Sequence, residues 1–264
     1  MTKTAGPRPR NGETLDTFYR GRVLVLQKKR GFRFSVDAPL LADFVRTRET
    51  DDILDIGTGS GIISLLMSLK PFRRIIALEI QEGLADLARR NVALNGLGKR
   101  IDVVHADFRN YAPGRKLDLI VANPPYIRKA TGFLSRVTEK SVAKHEIHGD
   151  IADMIGKTGD WLKRKGRACF VYPERRREDL VAAAGAQGLR IRRIRFVHPR
   201  AGGPANLFLV ELGFEAGEGK QEVMPPLVLF APDGKYTEEA EEIFSGRPQA
   251  PHPAASGSGR GLLR

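Results

Sequence analysis

"LDIGTGSGIISLL", Leu54 to Leu66, decides how the whole chain is read. An apolar run ends at Ile56, glycines follow at alternate positions, and a second apolar run resumes at Ile62. Glycine permits sharp turns and positive φ, so a strand, a tight loop and a helix are expected in that order. A dinucleotide site would space its glycines GxGxxG and set a pyrophosphate on the helix N-terminus. Here Gly57, Gly59 and Gly61 give GxGxG, and Ile62 stands where that third glycine would be.

Working outward, strands and helices alternate. "DILDI", "RIIALE", "IDVVHAD", "LDLIVAN" and "RACFVYP" read as strands. "SGIISLLMSLK", "QEGLADLARRNVALN", "IADMIGKTGDWLKRK" and "ERRREDLVAAAGAQ" read as helices. Such alternation predicts a mainly parallel α/β sheet, doubly wound, with helices on both faces. The late strands "LRIRRIRFVHP" and "NLFLVEL" are joined too briefly for a helical crossover, so they should be antiparallel. A seven-stranded sheet closed by an antiparallel hairpin resembles the Rossmann-like class I methyltransferase fold. In front of it, "RVLVLQKKRGFRFS" predicts two short strands around a basic turn at Lys28 to Gly31, and Asp37 is placed to cap the helix of "DAPLLADFV". The expected division is a disordered 1–12, a hairpin-and-helix cap over 13–50, a core with its C-terminal extension over 51–245, and a flexible tail over 246–264.

Lys and Arg number 44 against 31 acidic residues, a formal net charge of +13. That excess predicts a polyanionic partner, nucleic acid ahead of an anionic membrane. Basic residues cluster at Arg20–Arg33, Lys163–Arg177 and Arg190–Arg200. The one cysteine, Cys169, lies in "ACFVY" and reads as core; a single thiol suits a reducing cytoplasm. No apolar run approaches the ~20 residues that cross a bilayer, so no membrane partner is expected.

The ends of the strands carry the candidate cofactor site. Asp55 precedes the glycines, where a carboxylate can bind an ammonium directly or through water. Thr58 lies within the loop itself, between Gly57 and Gly59. Glu79, followed by Ile80, ends the second strand, where an acid accepts from ribose hydroxyls. Asp107 ends the third, placed to accept from an adenine amine, and Phe108 is placed to stack on or flank that ring. S-adenosyl-L-methionine, with no phosphate but an amino-acid moiety and a sulfonium, suits this set better than a dinucleotide.

"NPPY", Asn123 to Tyr126, ends the fourth strand at the same edge. An adenine amine is a poor nucleophile because its lone pair is delocalised into the ring. Two acceptors, the Asn123 side chain and the Pro124 carbonyl, can take its two N–H groups. Pro124 and Pro125 restrict φ and so aim that carbonyl. Tyr126 can stack on a base drawn out of its loop.

"DIGTGSG" with "NPPY" resembles the amino-methylating S-adenosylmethionine enzymes. With "FRFSVDAPLLADF", "AKHEIHGD", "FVHPRAGGPANLFLVE" and "PPLVLFAPDGKYTEEAEEIF", the chain resembles the bacterial tRNA1(Val) adenine-37 N6-methyltransferase family over roughly Asp16 to Gly246. The resemblance implies methylation of the adenosine 3′ of an anticodon, with S-adenosyl-L-methionine as cofactor and a tRNA as partner. It maps site roles onto Asp55, Gly57, Gly59, Glu79, Asp107 and Asn123 to Tyr126, and suggests that Ser35 and Asp37 shape the cofactor pocket. The chain departs from it at Ile127, where relatives often carry an aromatic.

For RNA contacts the candidates are Lys28, Lys29, Arg30 and Arg33 on the hairpin, and Arg128 and Lys129 after NPPY. His145 and His148 in "KHEIH" do not form a metal motif, and no metal is expected. His198 and Trp161 read as structural. Three rivals stand beside this reading. One is methylation of a release-factor glutamine, which the strand-rich N-terminus and basic charge disfavour. The others are an exocyclic amine in ribosomal RNA or DNA, and a non-catalytic RNA-binding module.

Overall fold

The structure, a computed structural model, describes residues 7–29, 36–124, 151–214 and 221–246. A two-stranded antiparallel hairpin comes first, β1 (Glu13–Phe18) against β2 (Val23–Lys28). Helix α1 (Asp37–Phe44) follows, then β3 (Asp52–Ile56), α2 (Ile62–Met67), β4 (Arg74–Glu79), α3 (Glu82–Leu94), β5 (Ile101–His105) and β6 (Leu117–Ala122). Beyond residue 150 come α4 (Ile151–Trp161), β7 (Leu162–Pro173), α5 (Arg177–Ala186), β8 (Arg190–Arg200), β9 (Leu207–Gly213), β10 (Glu222–Val223), β11 (Leu227–Phe230) and α6 (Glu238–Ser245).

The main sheet runs β10-β8-β9-β7-β6-β3-β4-β5, with β11 also on β8. Among the described strands of this sheet only β9 is antiparallel to its neighbours, wedged between β7 and β8. The expected seven strands are all present, and the C-terminal extension adds β10 and β11 at the β8 edge. Strand side chains alternate between faces. Ile53, Ile75, Leu119 and Cys169 pack with α1, α2 and α3, while Leu54, Ile76, Ile120 and Phe170 pack with α4 and α5. Cys169 is 1% exposed, and burial raises its thiol pKa well above the ordinary value. Trp161 is also core, edge-on to Tyr111.

Several expectations are corrected. The hairpin pairs β2 with the upstream "ETLDTF", not across Lys28 to Gly31; its turn is Tyr19 to Arg22. Tyr19 and Arg20 take left-handed φ of 51° and 57°, followed by Gly21. The second strand expected after Gly31 lies outside the described residues. Asp37 is the first helical residue rather than the cap; Val36 holds that position with no side-chain cap bond. "LKRK" belongs to β7, not to the preceding helix, and β7 bulges between its partners Leu117 and Leu119. Arg8 and Arg10, inside the segment expected to be disordered, contact α3: the Arg8 carbonyl accepts from Arg90, and Arg10 pairs with Asp86.

Helix α3 carries the hairpin. Arg90 pairs with both oxygens of Glu13, at 2.8 Å each, which holds that carboxyl below its ordinary pKa. Asn91 and Asn95, one helical turn apart, present their carboxamides to the free edge of β2. Asn95 accepts from Leu24 N–H and donates to its carbonyl, and Asn91 does the same at Leu26. Two side chains thus satisfy backbone groups that a third strand would otherwise pair.

A candidate active site at the strand switch point

The sheet order reverses between β3 and β6, and crevices for ligands form at such switch points. Registers are Ile56 to Ala122 across β3 and β6, Ile56 to Leu78 across β3 and β4, and Glu79 to His105 across β4 and β5. The glycine loop after β3 and Asn123 after β6 therefore begin level with each other, one strand spacing of ~4.8 Å apart. Glu79 and Asp107 follow along the same edge.

The loop is built from its own polar groups. Gly57, Gly59 and Gly61 have φ of 71°, 60° and 86°, which a side chain would strain. The N–H groups of Gly57 and Thr58 both donate to Leu78 carbonyl. Asp55 is fully buried; its Oδ2 accepts from Thr58 Oγ1 at 2.6 Å and Ser64 Oγ at 2.7 Å. Burial pushes its pKa up to about 6, against the pull of those hydroxyls. Its Oδ1 is buried with no partner among the described residues. Glu79, 4% exposed, accepts from Gly59 N–H through Oε2 and from Gln81 N–H through Oε1, both at 2.9 Å. Burial raises its pKa as well. Asn91 reaches this loop too, donating to Ser60 carbonyl at 2.8 Å while it holds β2.

At the next strand end, Asp107 is held by Arg109 through three side-chain contacts of 2.5 to 3.1 Å and by the Arg109 N–H. The expected adenine acceptor is thus a paired carboxylate. Phe108 is 7% exposed and packs in the core with Leu78 and Ile56, so it flanks the edge rather than offering an open ring face. Ile80 is half-buried, its carbonyl against His105 Nε2. Asn123 is half-buried and Pro124 buried, directly after β6. Pro125, Tyr126, Arg128, Lys129, Ser35, Arg30, Arg33, His145 and His148 lie outside the described residues. Lys28 ends β2 with its ammonium beside Gly83 in the first turn of α3, and Lys29 N–H bonds Gly12 carbonyl. His198 Nδ1 meets Gly203 carbonyl at 2.8 Å, a turn contact.

Sequence reasoning missed Asn91, Asn95, Ser64 and Arg109. The first two left one signal, their i,i+4 spacing on a single helix face.

The sequence model of the methyltransferase small domain matches residues 34–174. The chain belongs to the methyltransferase small-domain family. The chain is 30% identical over 83% of its length to a tRNA1(Val) (adenine(37)-N6)-methyltransferase of Bacteroides thetaiotaomicron, covering 91% of it. Against a relative of the same name from Vibrio campbellii it is 28% identical, over 70% of this chain and 77% of the other. Among solved structures, a predicted O-methyltransferase from Agrobacterium tumefaciens superposes with a TM-score of 0.61 at 21% identity, covering 80% of this chain and 96% of that one. TYW2 of M. jannaschii, in complex with AdoMet, gives 0.52 at 17%, covering 78% and 87%. These two share the fold. This member of the methyltransferase family is an S-adenosylmethionine-dependent enzyme, and the residues present fit that cofactor. Carboxylates dominate the strand ends, and Asp55 Oδ1 is a buried acceptor lacking a donor among the described residues. Such a set suits an ammonium and hydroxyls, not a pyrophosphate. No helix among the described residues is long and apolar enough to cross a membrane.

Proposed function

We propose that this enzyme methylates N6 of an adenosine in tRNA, the one 3′ of the anticodon, in the cytoplasm. The observation that carries the reading is the level start of the glycine loop and Asn123 on adjacent central strands. Asp55, Gly57, Thr58, Gly59, Gly61 and Glu79 would hold the cofactor, with Ile80, Asp107 and Phe108 along its far side and with Ser35 and Asp37 helping to shape its pocket. When bound, S-adenosyl-L-methionine supplies an electrophilic methyl group on a sulfonium.

The chain's own part is orientation. Asn123 Oδ1 accepts one N6–H and Pro124 carbonyl accepts the other. With both protons engaged, the nitrogen lone pair is drawn out of ring conjugation. The two prolines fix the second acceptor, and Tyr126 stacks on the extruded base. The product nitrogen is acidic enough to release its proton to water, so no strong base is required. Fixed acceptors act here as preorganised electrostatics. An adenosine in a loop is unpaired, which keeps the cost of extrusion low.

The test is incubation with labelled S-adenosylmethionine and unmodified bulk tRNA, followed by nucleoside mass spectrometry. N6-methyladenosine that disappears with Asn123→Ala is the expected result. Label absent from tRNA, with cofactor binding intact, would overturn the substrate assignment and turn attention to ribosomal RNA and release factors.

A further inference from the structure

We infer that the RNA docks along one half of the sheet edge, over β7, β9, β8 and β11, and that Arg175, Arg200 and Tyr236 form the docking surface. The inference rests on the tRNA reading above. Strand directions divide the basic clusters of the sequence into three groups. Arg167, Arg193 and Arg195 are buried and paired with Asp51, Glu211 and Glu239. Those cations belong to the core and are closed to a ligand of this size.

Lys163 to Lys165 and Arg190 sit at the opposite end of their strands from the site. Leu162 is level with Leu117, the start of β6, and Arg190 with Gly213, the end of antiparallel β9. Lys163 to Lys165 lie between the levels of Leu117 and Leu119 and Arg190 lies level with Leu119, so all of them are roughly 13–20 Å below Asn123. The third group stands at the catalytic edge. Phe170 is level with Ala122, and Pro173, Leu207 and Val197 form one row above it. Arg175 follows Pro173, and Arg200 lies three residues past Val197. Both are exposed, and neither has an acidic partner among the described residues. Their neighbours are committed: Arg176 to Asp179 and Arg177 to Glu174.

The cofactor half of the edge directs the RNA the same way. Asp55 and Glu79, buried at the ends of β3 and β4, set the cofactor on that half, so it is occupied when the base arrives. A base held at Asn123 therefore leaves its chain toward β7 and β8. Arg200 lies three strand spacings from β6, about 14 Å, and five residues above the level of Asn123, about 16 Å, a separation of about 22 Å or roughly six stacked nucleotides.

Tyr236 makes the surface specific for nucleic acid over a generic anion. Phe230 is level with Arg200, Tyr236 bridges to Phe230, and its ring stacks on Phe230 at 5.0 Å. Phe244 also packs against the Tyr236 ring in a T-shaped contact at 4.8 Å, which holds the ring in place while it stays 38% exposed at the outer end of the row. An exposed aromatic beside guanidinium groups is the pairing that holds single strands.

The test uses the full-length enzyme, an unmodified tRNA anticodon stem-loop and three variants. Arg175→Gln/Arg200→Gln should raise KM about tenfold with kcat unchanged, and flatten the log–log salt dependence of binding by about 1.4 to 1.8. Tyr236→Ala should weaken binding severalfold and leave that slope as in the wild type. Lys165→Gln/Arg190→Gln removes the same charge from the opposite edge and should leave KM within twofold. Equal effects of the two charge-removing pairs, or a wild-type KM in the first, would overturn the surface. Wild-type affinity in Tyr236→Ala would overturn the stacking element. A wild-type enzyme that binds cofactor but methylates no tRNA would overturn the tRNA reading, and this surface with it.

Discussion

The two halves of the catalytic edge are built on opposite rules. From β3 to β5 the functional groups are carboxylates, buried or paired, each tied to the protein's own N–H, O–H or guanidinium donors. From β7 to β11 they are exposed arginines with no acidic partner among the described residues, and a half-open tyrosine. A small cofactor can be met by a pocket fixed in advance, because burial holds every group still. A macromolecule supplies its own counter-charges, so the groups that meet it stay in water until it arrives. Asn123 stands at the junction.

Substitutions break this contrast in graded ways. Asn123→Ala strikes the junction alone. Turnover should fall at least a thousandfold, about 4 kcal/mol of transition-state stabilisation, while calorimetry finds cofactor affinity nearly unchanged. Equal loss of both would remove its assigned role.

Glu79→Ala strikes the fixed half twice, by deleting a ligand group and releasing the N–H groups of Gly59 and Gln81. Cofactor affinity should drop about a hundredfold, roughly 3 kcal/mol. An unchanged dissociation constant would take Glu79 out of the pocket.

Asp55 tests the cost of fixing a charge in advance. Burial raises its folded-state pKa from the ordinary 3.8 to about 6, so the folded form favours the proton. Its contribution to stability is complete below the unfolded value and is lost as pH rises through about 6, leaving the ionised group costing roughly 3 kcal/mol above that. Asp55→Asn should therefore gain melting temperature relative to wild type by several degrees more at pH 8 than at pH 4. The same variant should bind the cofactor more weakly at pH 8, since the carboxylate we propose for the ammonium is gone. A pH-independent difference in melting would mean that Asp55 is not a strained charge.

Asn91→Ala asks whether the fixed half depends on the hairpin. It leaves the Leu26 N–H and carbonyl and the Ser60 carbonyl without their partner, and should cost about 2–3 kcal/mol in chemical denaturation. Weaker cofactor binding in the folded variant would show that the loop is held through α3. The smallest effect belongs to Lys28→Glu/Lys29→Glu. RNA affinity should stay within about twofold, because these cations stand beside α3 on the cofactor side of the edge. A severalfold loss with a shallower salt slope would mean that the RNA reaches past Asn123 onto the hairpin.

Much of this was legible in the chain because the two relevant periodicities are simple. Alternation of strands and helices gave the sheet, and a ligand site at strand ends follows from topology alone, so Asp55, Glu79, Asp107 and Asn123 could be named from sequence. What escaped was pairing between distant side chains. Nothing near Asp107 announces that Arg109 holds it, and Asn91 and Asn95 look like neutral helix residues until β2 lies against them. The hairpin was misread for a related reason. "KKRG" looks like a turn, whereas the actual turn asks Tyr19 and Arg20 to adopt left-handed backbone that their residue types rarely choose. Tertiary contact overrules local preference there.

That contact has a consequence in time. The Tyr19 ring packs where any side chain at Gly246 would collide, and Arg22 donates to the Gly246 carbonyl, a partner 224 residues later. A ribosome adding about 5–20 residues per second takes roughly 10–45 s to span that interval. The hairpin turn is made that long before its seat exists. A nascent chain can assemble its glycine loop and central strands in the meantime, and a chain stopped short of Gly246 would carry its hairpin turn unlatched.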